Sequence, residues 1–265
     1  MKKYFVFPLI IFVLYSCDSP SASKETISPA DIEIIEVAVI EKSKECDAEP
    51  ARGCARLNAT YPIFKSKTGK AKSSQLKPLN NAIYSIFSQT FIDFIPQGNL
   101  KATDNLDQLK AGFFNKHKKN QLQYKEVIGF ELINKVTVPF FNEKYASVAQ
   151  NQLTFAGGAH PDSELLYYTV DFKTGKNLNS LSWIADTIEV KRMLLAVLKN
   201  KMQIEATSDL EENGFFISDQ ELIITPNILI EKDTISFAYN SYEIAPYSFG
   251  IFDLKLAKSA VKFKD

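Results

Sequence analysis

The clearest alternation of apolar and polar positions runs through residues 145–176, which read YASVAQNQLTFAGGAHPDSELLYYTVDFKTGK. Two alternating runs, residues 147–155 and 164–172, flank a GGAHP segment, and a TGK turn closes the second run. Alternation with a period of two is typical of half-buried strands, and glycine-rich connections are typical of hairpins. We therefore predict two antiparallel strands joined by residues 157–161, which we call the GGAH loop.

Further strands are predicted on both sides of this hairpin. Apolar and β-branched residues at strand spacing mark residues 32–41, 57–64 and 127–139 before it. After it, the predicted strands are residues 214–218, 222–230, 234–239 and 249–256, with Pro226 marking an edge or a bulge. Before the last of these strands lies YEIAPY, residues 242–247, which we call the YEIAPY loop.

Three helices are predicted from apolar residues at helical spacing. The first covers residues 78–94 and has Pro78 in its opening turn. The second, more polar, covers residues 104–124 and places His117 at the surface or the core edge. The third follows Asp186, which has capping-box spacing with Glu189. Strands interrupted by single helices, without regular βαβ alternation, predict an α+β fold.

The GGAH and YEIAPY loops carry a resemblance to a known family. Over most of residues 32–260 the chain resembles a domain pair of uncharacterised function in bacterial envelope proteins. That pair forms the ectodomain of the lysozyme-sensing anti-sigma factor of sigma-V and precedes the catalytic domain of some peptidoglycan deacetylases. Pro161 departs from the family, in which Gly is usual after GGAH.

The resemblance implies two lobes, with mostly antiparallel sheets each packed against a long helix. We assign residues 1–16 to a signal peptide, 17–31 to a disordered tether, 32–145 to the first lobe and 146–265 to the second lobe, which contains both loops. The resemblance also implies a ligand related to the cell wall, either a peptidoglycan glycan fragment or a lysozyme-like hydrolase.

The N-terminus predicts export and lipidation. Lys2 and Lys3 precede an apolar run at residues 4–15 that is too short for a permanent membrane span. Leu14 and Ser16 before Cys17 match the lipoprotein signal, in which lipid, including palmitate, is attached to the cysteine. The alternative is an ordinary signal peptide. We expect a bacterial envelope protein anchored outside the cytoplasm, on the periplasmic or outer-membrane side.

The remaining cysteines, Cys46 and Cys54, predict a disulfide, because an exported chain meets an oxidising compartment. Two reduced thiols are the alternative. A metal site is not expected there, since no histidine or further cysteine lies nearby. The 31 basic and 31 acidic side chains give no net charge, which does not favour nucleic acid as a partner.

The two loops hold the candidate site. If they meet, their side chains form a small polar and aromatic pocket suited to sugar rings or to a protein interface. The alternative is purely structural: a glycine turn, a histidine bonded to backbone and a Pro-Tyr corner. The candidate ligand-binding residues are Gly157, Gly158, His160, Asp162, Tyr242, Glu243, Pro246 and Tyr247.

Standard catalytic signatures are missing from the sequence, including HExxH, GxSxG and GxxxxGK[ST]. We therefore expect a non-enzymatic, lipid-anchored envelope protein without cofactor, metal or catalytic residues, binding a cell-wall glycan or a lysozyme-like hydrolase. One alternative is a hydrolase in which His160 is the base and Glu243 or Asp162 orients it. Another is a purely structural envelope lipoprotein.

Overall fold

The computed structural model describes residues 27–48, 53–96, 100–123 and 128–264. The predicted signal peptide, Cys17 and most of the tether lie outside these residues. The strands are β1 (Ile32–Lys42), β2 (Ala55–Ser66), β3 (Phe130–Phe141), β4 (Tyr145–Phe155), β5 (Asp162–Asp171), β6 (Asn177–Leu178), β7 (Ile228–Ile230), β8 (Thr234–Tyr239) and β9 (Phe252–Ala257). The helices are α1 (Ser73–Phe94), α2 (Leu106–Gln123) and α3 (Thr187–Met202).

The first six strands form one sheet in the order β1-β2-β3-β4-β5-β6. Neighbouring strands are antiparallel except for β2 and β3, which are parallel. A parallel pair needs a long crossover, which α1 and α2 supply here. The predicted hairpin of β4 and β5 is confirmed, and β4 also pairs along β3. The sheet therefore continues past the boundary between residues 145 and 146 that the sequence led us to expect.

Helix α1 covers one face of this sheet and fills the larger apolar core. Its side chains Leu79, Ile83, Phe87 and Phe91 are fully buried. The helix begins at Ser73, five residues before Pro78, so placing Pro78 in the opening turn was wrong. The earlier start is stabilised by Gln75, whose side-chain Oε1 accepts a hydrogen bond of 2.7 Å from the backbone N–H of Lys72.

The second core lies between α3 and an antiparallel sheet of order β7-β8-β9. The predicted cap is confirmed, since the Asp186 carboxylate accepts a hydrogen bond of 2.9 Å from Glu189 N–H. The fold is thus α+β, as predicted, with a six-stranded and a three-stranded sheet in the described residues.

The strands predicted at residues 214–218 and 222–227 were wrong. These residues form irregular backbone that covers the second core: Phe215 and Leu222 are buried, and Phe216 N–H donates to the Ile244 carbonyl at 2.9 Å. Apolar residues in a loop that packs on a core give the same short apolar runs as a strand, which explains the error. Among the described residues, no helix has the length and apolar character needed to cross a bilayer.

The last part of the predicted tether, residues 27–31, lies against the first lobe. Ile27 packs on the larger core, and Asp31 is buried. The Asp31 carboxylate accepts hydrogen bonds from Ser66 Oγ at 2.7 Å and from Ala71 N–H at 3.1 Å, and also from the Thr68 side chain. Residues 27–31, which we predicted to be part of a disordered tether, therefore pack against the fold.

These bonds predict a pH dependence of stability. Hydrogen bonds from Thr68 and Ser66 lower the pKa of Asp31 from 3.8 to about 2. A carboxyl with a lowered pKa in the folded state stabilises the fold above its unfolded pKa, and this stabilisation is lost as the pH falls through the folded value. We expect Asp31→Asn to lower the free energy of unfolding at pH 7, and the difference from wild type to shrink between about pH 4 and pH 2.

Urea denaturation across this pH range measures the effect. The control is Asp233→Asn, because Asp233 is exposed and, within the described residues, its side chain forms no ion pair or hydrogen bond. A difference between wild type and Asp31→Asn that stays constant down to pH 2 would contradict the assignment.

Candidate functional site

The GGAH and YEIAPY loops meet, although His160 and Tyr242, which contact each other, are 82 residues apart in sequence. The rings of His160 and Tyr247 stack with centroids 3.8 Å apart and planes inclined by 21°. Tyr242 adds a third ring, whose hydroxyl lies 3.3 Å from His160 Nε2. We call His160, Tyr242 and Tyr247 the aromatic cluster. The geometric condition for a shared surface is thus met.

Backbone conformations that favour glycine shape the GGAH loop. Gly157 has a φ of 98° and Gly158 a φ of 116°, both in the region that side chains oppose. Tyr242 in the facing loop also has a positive φ, 70°, although it is not glycine. Positive φ in a bulky residue costs of the order of 1–2 kcal/mol and is uncommon. In this conformation the Tyr242 ring is 58% exposed and lies beside His160.

Hydrogen bonds fix the orientation of the His160 ring. Its Nδ1 lies 3.0 Å from the carbonyl of Pro161, which can only accept, so Nδ1 carries a hydrogen. In the neutral ring Nε2 then accepts from the hydroxyl of Tyr242. The same Pro161 carbonyl also accepts a hydrogen bond of 2.9 Å from the Tyr247 hydroxyl. The carbonyl of Pro161 therefore joins the two loops directly.

Both ring nitrogens of His160 are thus occupied by groups other than carboxylates. Across the described ranges, neither Glu243 nor Asp162 forms a hydrogen bond with His160. The His–carboxylate pair that the hydrolase alternative requires is not formed. A backbone carbonyl, and not Glu243 or Asp162, therefore orients the His160 ring.

Two asparagine side chains tie the second sheet to the free edge of β5. Asn240 Oδ1 accepts from Leu165 N–H at 2.8 Å, and Asn227 Oδ1 accepts from Tyr167 N–H at 2.6 Å. The amide of Asn227 also donates to the Leu165 carbonyl at 2.7 Å. These bonds occupy backbone groups that no strand pairs at this edge, where β6 reaches only Thr169 and Val170.

The carboxylates near the aromatic cluster form an acidic surround. Burial raises the pKa of the Glu164 carboxyl, and the nearby charges of Asp162, Asp93 and Glu243 raise it further, against a hydrogen bond from Gln152. These three carboxylates are thus near enough for their charges to act on Glu164. Asp162 and Glu243 are exposed. A cationic group is therefore the charge that this region would attract.

A groove of about 540 Å³ opens beside the YEIAPY loop. It follows the outer edge of β5 at Leu166–Tyr168 and is closed on the other side by residues 223–227 and by Glu243. Ile223, at its rim, is 72% exposed. Exposed Ile223 and Tyr242 next to carboxylates give this surface the mixed apolar and polar character of a recognition surface.

The other predicted residues occupy clear positions. Pro246 precedes a short helix and accepts a hydrogen bond of 3.0 Å from Phe249 N–H. Cys46 and Cys54 are joined by a disulfide. His117, which we expected at the surface or the core edge, is 3% exposed, with its ring against Phe130. It faces inward because α2 packs this side on the larger core.

A buried polar network was missed by the sequence analysis. Gln150 donates to Thr90 Oγ1 at 2.8 Å and to Asn134 Oδ1 at 3.0 Å, between the sheet and α1. Thr90 Oγ1 donates to Gln152 at 2.6 Å, and Gln152 donates in turn to Glu164. The network links the core to the acidic surround. Polar residues at inward positions of β3 and β4 were its signal in the sequence.

The comparisons with known proteins concern the second lobe and the fold. Residues 172–259 match the model of a family described as a protein of unknown function, DUF3298. The matched residues contain α3 and the three-stranded sheet of β7, β8 and β9. The YEIAPY loop lies inside the match to DUF3298, and the GGAH loop precedes it. No curated protein matches the chain.

Two crystal structures of DUF3298 proteins share the fold. One, a family member from Bacteroides fragilis NCTC 9343, is 17% identical, with a TM-score of 0.57 over 86% of this chain and 91% of that chain. The other, from Pseudomonas aeruginosa PAO1, is 16% identical, with a TM-score of 0.52 over 87% of this chain and 94% of that chain. At these identities the likeness concerns the fold alone. Within the described residues, no cluster of His, Cys, Asp and Glu is suited to a metal ion.

The glycine conformations generate a prediction about the GGAH loop. A Cβ at position 157 would lie 2.9 Å from Ile128 Cγ2, whereas a Cβ at position 158 would meet nothing within 4 Å. We expect each alanine variant to lower the free energy of unfolding by about 1–3 kcal/mol because of its positive φ, with Gly157→Ala the more destabilised. Urea denaturation measures both values, and the Gly158→Ala variant isolates the backbone effect. A free energy of unfolding equal to that of wild type in Gly157→Ala would refute this prediction.

Proposed function

We propose that this chain is a bacterial envelope protein that binds a basic cell-wall hydrolase of the lysozyme type. The binding surface consists of the aromatic cluster, its acidic surround and the adjoining groove. Lipid on Cys17 anchors the protein outside the cytoplasm. The proposal takes the ligand class from the resemblance of the GGAH and YEIAPY loops to the lysozyme-sensing ectodomain.

The observation that carries the proposal is the contact between the two loops within a group of carboxylates. Tyrosine is enriched among the residues that dominate protein interfaces, and Tyr242 is exposed and has a positive φ. Asp162, Glu164 and Glu243 supply a negative potential that speeds the approach of a positively charged protein. A rigid aromatic anchor with opposite charge around it fits a basic protein.

A glycan ligand is supported less well by the same geometry. The His160 and Tyr247 rings face each other at 3.8 Å, so these faces are not free for a sugar. Carboxylates also repel peptidoglycan fragments that carry acidic groups. The hydrolase alternative gains no support either, because His160 lacks a carboxylate partner.

Replacement of Tyr242 tests the proposal. We expect Tyr242→Ala to weaken binding of lysozyme to the purified full-length protein in detergent by about 30-fold or more, the loss typical of an interface hot spot. Isothermal titration calorimetry measures the affinity. The matched control is Ile40→Ala, which truncates a side chain that is 74% exposed on β1, at the opposite edge of the sheet.

Further measurements in the same binding experiment distinguish specific recognition from simple charge attraction. Glu243→Gln should weaken binding and reduce its salt dependence, and cytochrome c, another small basic protein, should not bind saturably. A different result would be that the protein binds a neutral chitin oligosaccharide saturably and not lysozyme, and loses this binding in Tyr242→Ala. That result would identify a glycan, and not a protein, as the ligand. Failure of both ligands to bind would leave a purely structural role.

The anchor is tested separately. If lipid is attached to Cys17, Cys17→Ser should move the protein from the membrane fraction to the soluble fraction and abolish incorporation of labelled palmitate. Cys46→Ser is the control, because it removes a cysteine without affecting the lipidation signal. Membrane retention of Cys17→Ser with no change in labelling would contradict lipid anchoring.

A further inference from the structure

A second groove, of about 490 Å³, lies at the other end of the β4–β5 hairpin. Its wall contains Lys144 before β4, Lys258 after β9 and Lys264 near the C-terminus. Trp183, Tyr145 and Phe263 add aromatic rings to the wall. We call it the lysine groove. It shares no lining residue with the groove beside the YEIAPY loop.

The three ammonium groups are not neutralised by the protein. Throughout the described ranges, no ion pair involves Lys144, Lys258 or Lys264. The one carboxylate in the wall belongs to Asp171, and it already accepts hydrogen bonds from Thr174 N–H at 2.7 Å and Thr174 Oγ1 at 2.8 Å. The lysine groove therefore carries an excess of positive charge in a chain without net charge.

Lys258 is held in place before any ligand arrives. Its Nζ donates to the Glu231 carbonyl at 3.0 Å and lies 5.7 Å from the centre of the Phe140 ring and 6.0 Å from that of Phe263. An ammonium group has three donors, so this single hydrogen bond leaves two for a ligand. Cation–π contacts and a fixed position reduce the entropy lost on binding.

The aromatic side of the groove is also fixed. Trp183 meets Tyr145 edge to face, with centroids 5.3 Å apart. The C-terminal segment is pinned beside it, because Lys264 N–H donates to the Trp183 carbonyl at 2.7 Å. Trp183 is only partly buried. A partly exposed indole that lines the groove and rests against Tyr145 suits apolar contact with a sugar ring.

We propose that the lysine groove binds a carboxylate-bearing sugar, with the carboxylate among Lys144, Lys258 and Lys264 and the sugar ring against Trp183. Lysine ammonium groups supply charge-assisted hydrogen bonds to the carboxylate, and the indole supplies apolar contact. This site is independent of the surface around the aromatic cluster and requires no hydrolase partner.

The chain contains a single tryptophan, so Trp183 reports on this groove even in the full-length protein. We would titrate the detergent-solubilised protein with N-acetylmuramic acid and follow Trp183 fluorescence together with isothermal titration calorimetry. Two probes test the two parts of the ligand separately: N-acetylglucosamine has the sugar ring without the carboxylate, and lactate has the carboxylate without the ring. We expect saturable binding of N-acetylmuramic acid, at least tenfold tighter than binding of either probe.

Variants locate the site. Lys258→Gln should weaken binding about tenfold, the loss of one charge-assisted hydrogen bond. Lys135→Gln, which changes an exposed lysine of β3 outside the groove, and Tyr242→Ala should bind as wild type does. The proposal would be overturned if N-acetylglucosamine or lactate bound as tightly as N-acetylmuramic acid, or if Lys258→Gln bound N-acetylmuramic acid as tightly as wild type. It would also be overturned if N-acetylmuramic acid produced neither heat nor a change in fluorescence.

Discussion

The arrangement of the molecule depends on the hydrogen bonds between two asparagines and the outer edge of β5. Asn240 and Asn227 bond the backbone groups of Leu165 and Tyr167 that face away from β4, at an edge where β6 reaches only Thr169 and Val170. Each bond contributes only about 1 kcal/mol net, but an unpaired buried N–H would cost about 1–3 kcal/mol. Because the two bonds reach alternate residues, a shift of one residue would break both. They therefore fix the register between the second sheet and the first.

This register determines where the YEIAPY loop lies. Asn240 is two residues before Tyr242, so anchoring Asn240 at Leu165 brings Tyr242 and Tyr247 to the start of β5, beside His160. The Pro161 carbonyl then accepts from the Tyr247 hydroxyl. On the opposite face of β5, the hydrogen bond of Gln152 to Glu164 connects this end of the strand to the buried polar network.

Local patterns in the sequence predicted the local structure. Alternation gave the β4–β5 hairpin, and the spacing of Asp186 and Glu189 gave the start of α3. The same patterns contained no information about partners far apart in sequence, such as the parallel pairing of β2 with β3 or the asparagines that bond β5. From the sequence we could say only what would follow if the GGAH and YEIAPY loops met. Nothing in either loop specifies the distance between them.

The buried network shows a different limit of sequence reasoning. Asn134 and Gln150 are fully buried at positions where the alternation places apolar residues. In the sequence they only interrupt the apolar pattern, because a polar residue in a strand is usually read as solvent-facing. Their burial becomes understandable from their partners: Asn134 donates to the Phe87 carbonyl at 2.8 Å and Gln150 reaches Thr90. Satisfied hydrogen bonds remove most of the cost of burying an amide.

The charges of this neutral chain are separated along one rigid hairpin. Carboxylates surround the loop between β4 and β5, whereas the lysine groove lies at the opposite ends of the same strands. At about 3.3 Å per residue, β4 separates the two regions by about 30 Å. Screening in physiological salt acts over about 8 Å, so neither region weakens the potential of the other. A neutral composition therefore conceals two surfaces of opposite sign.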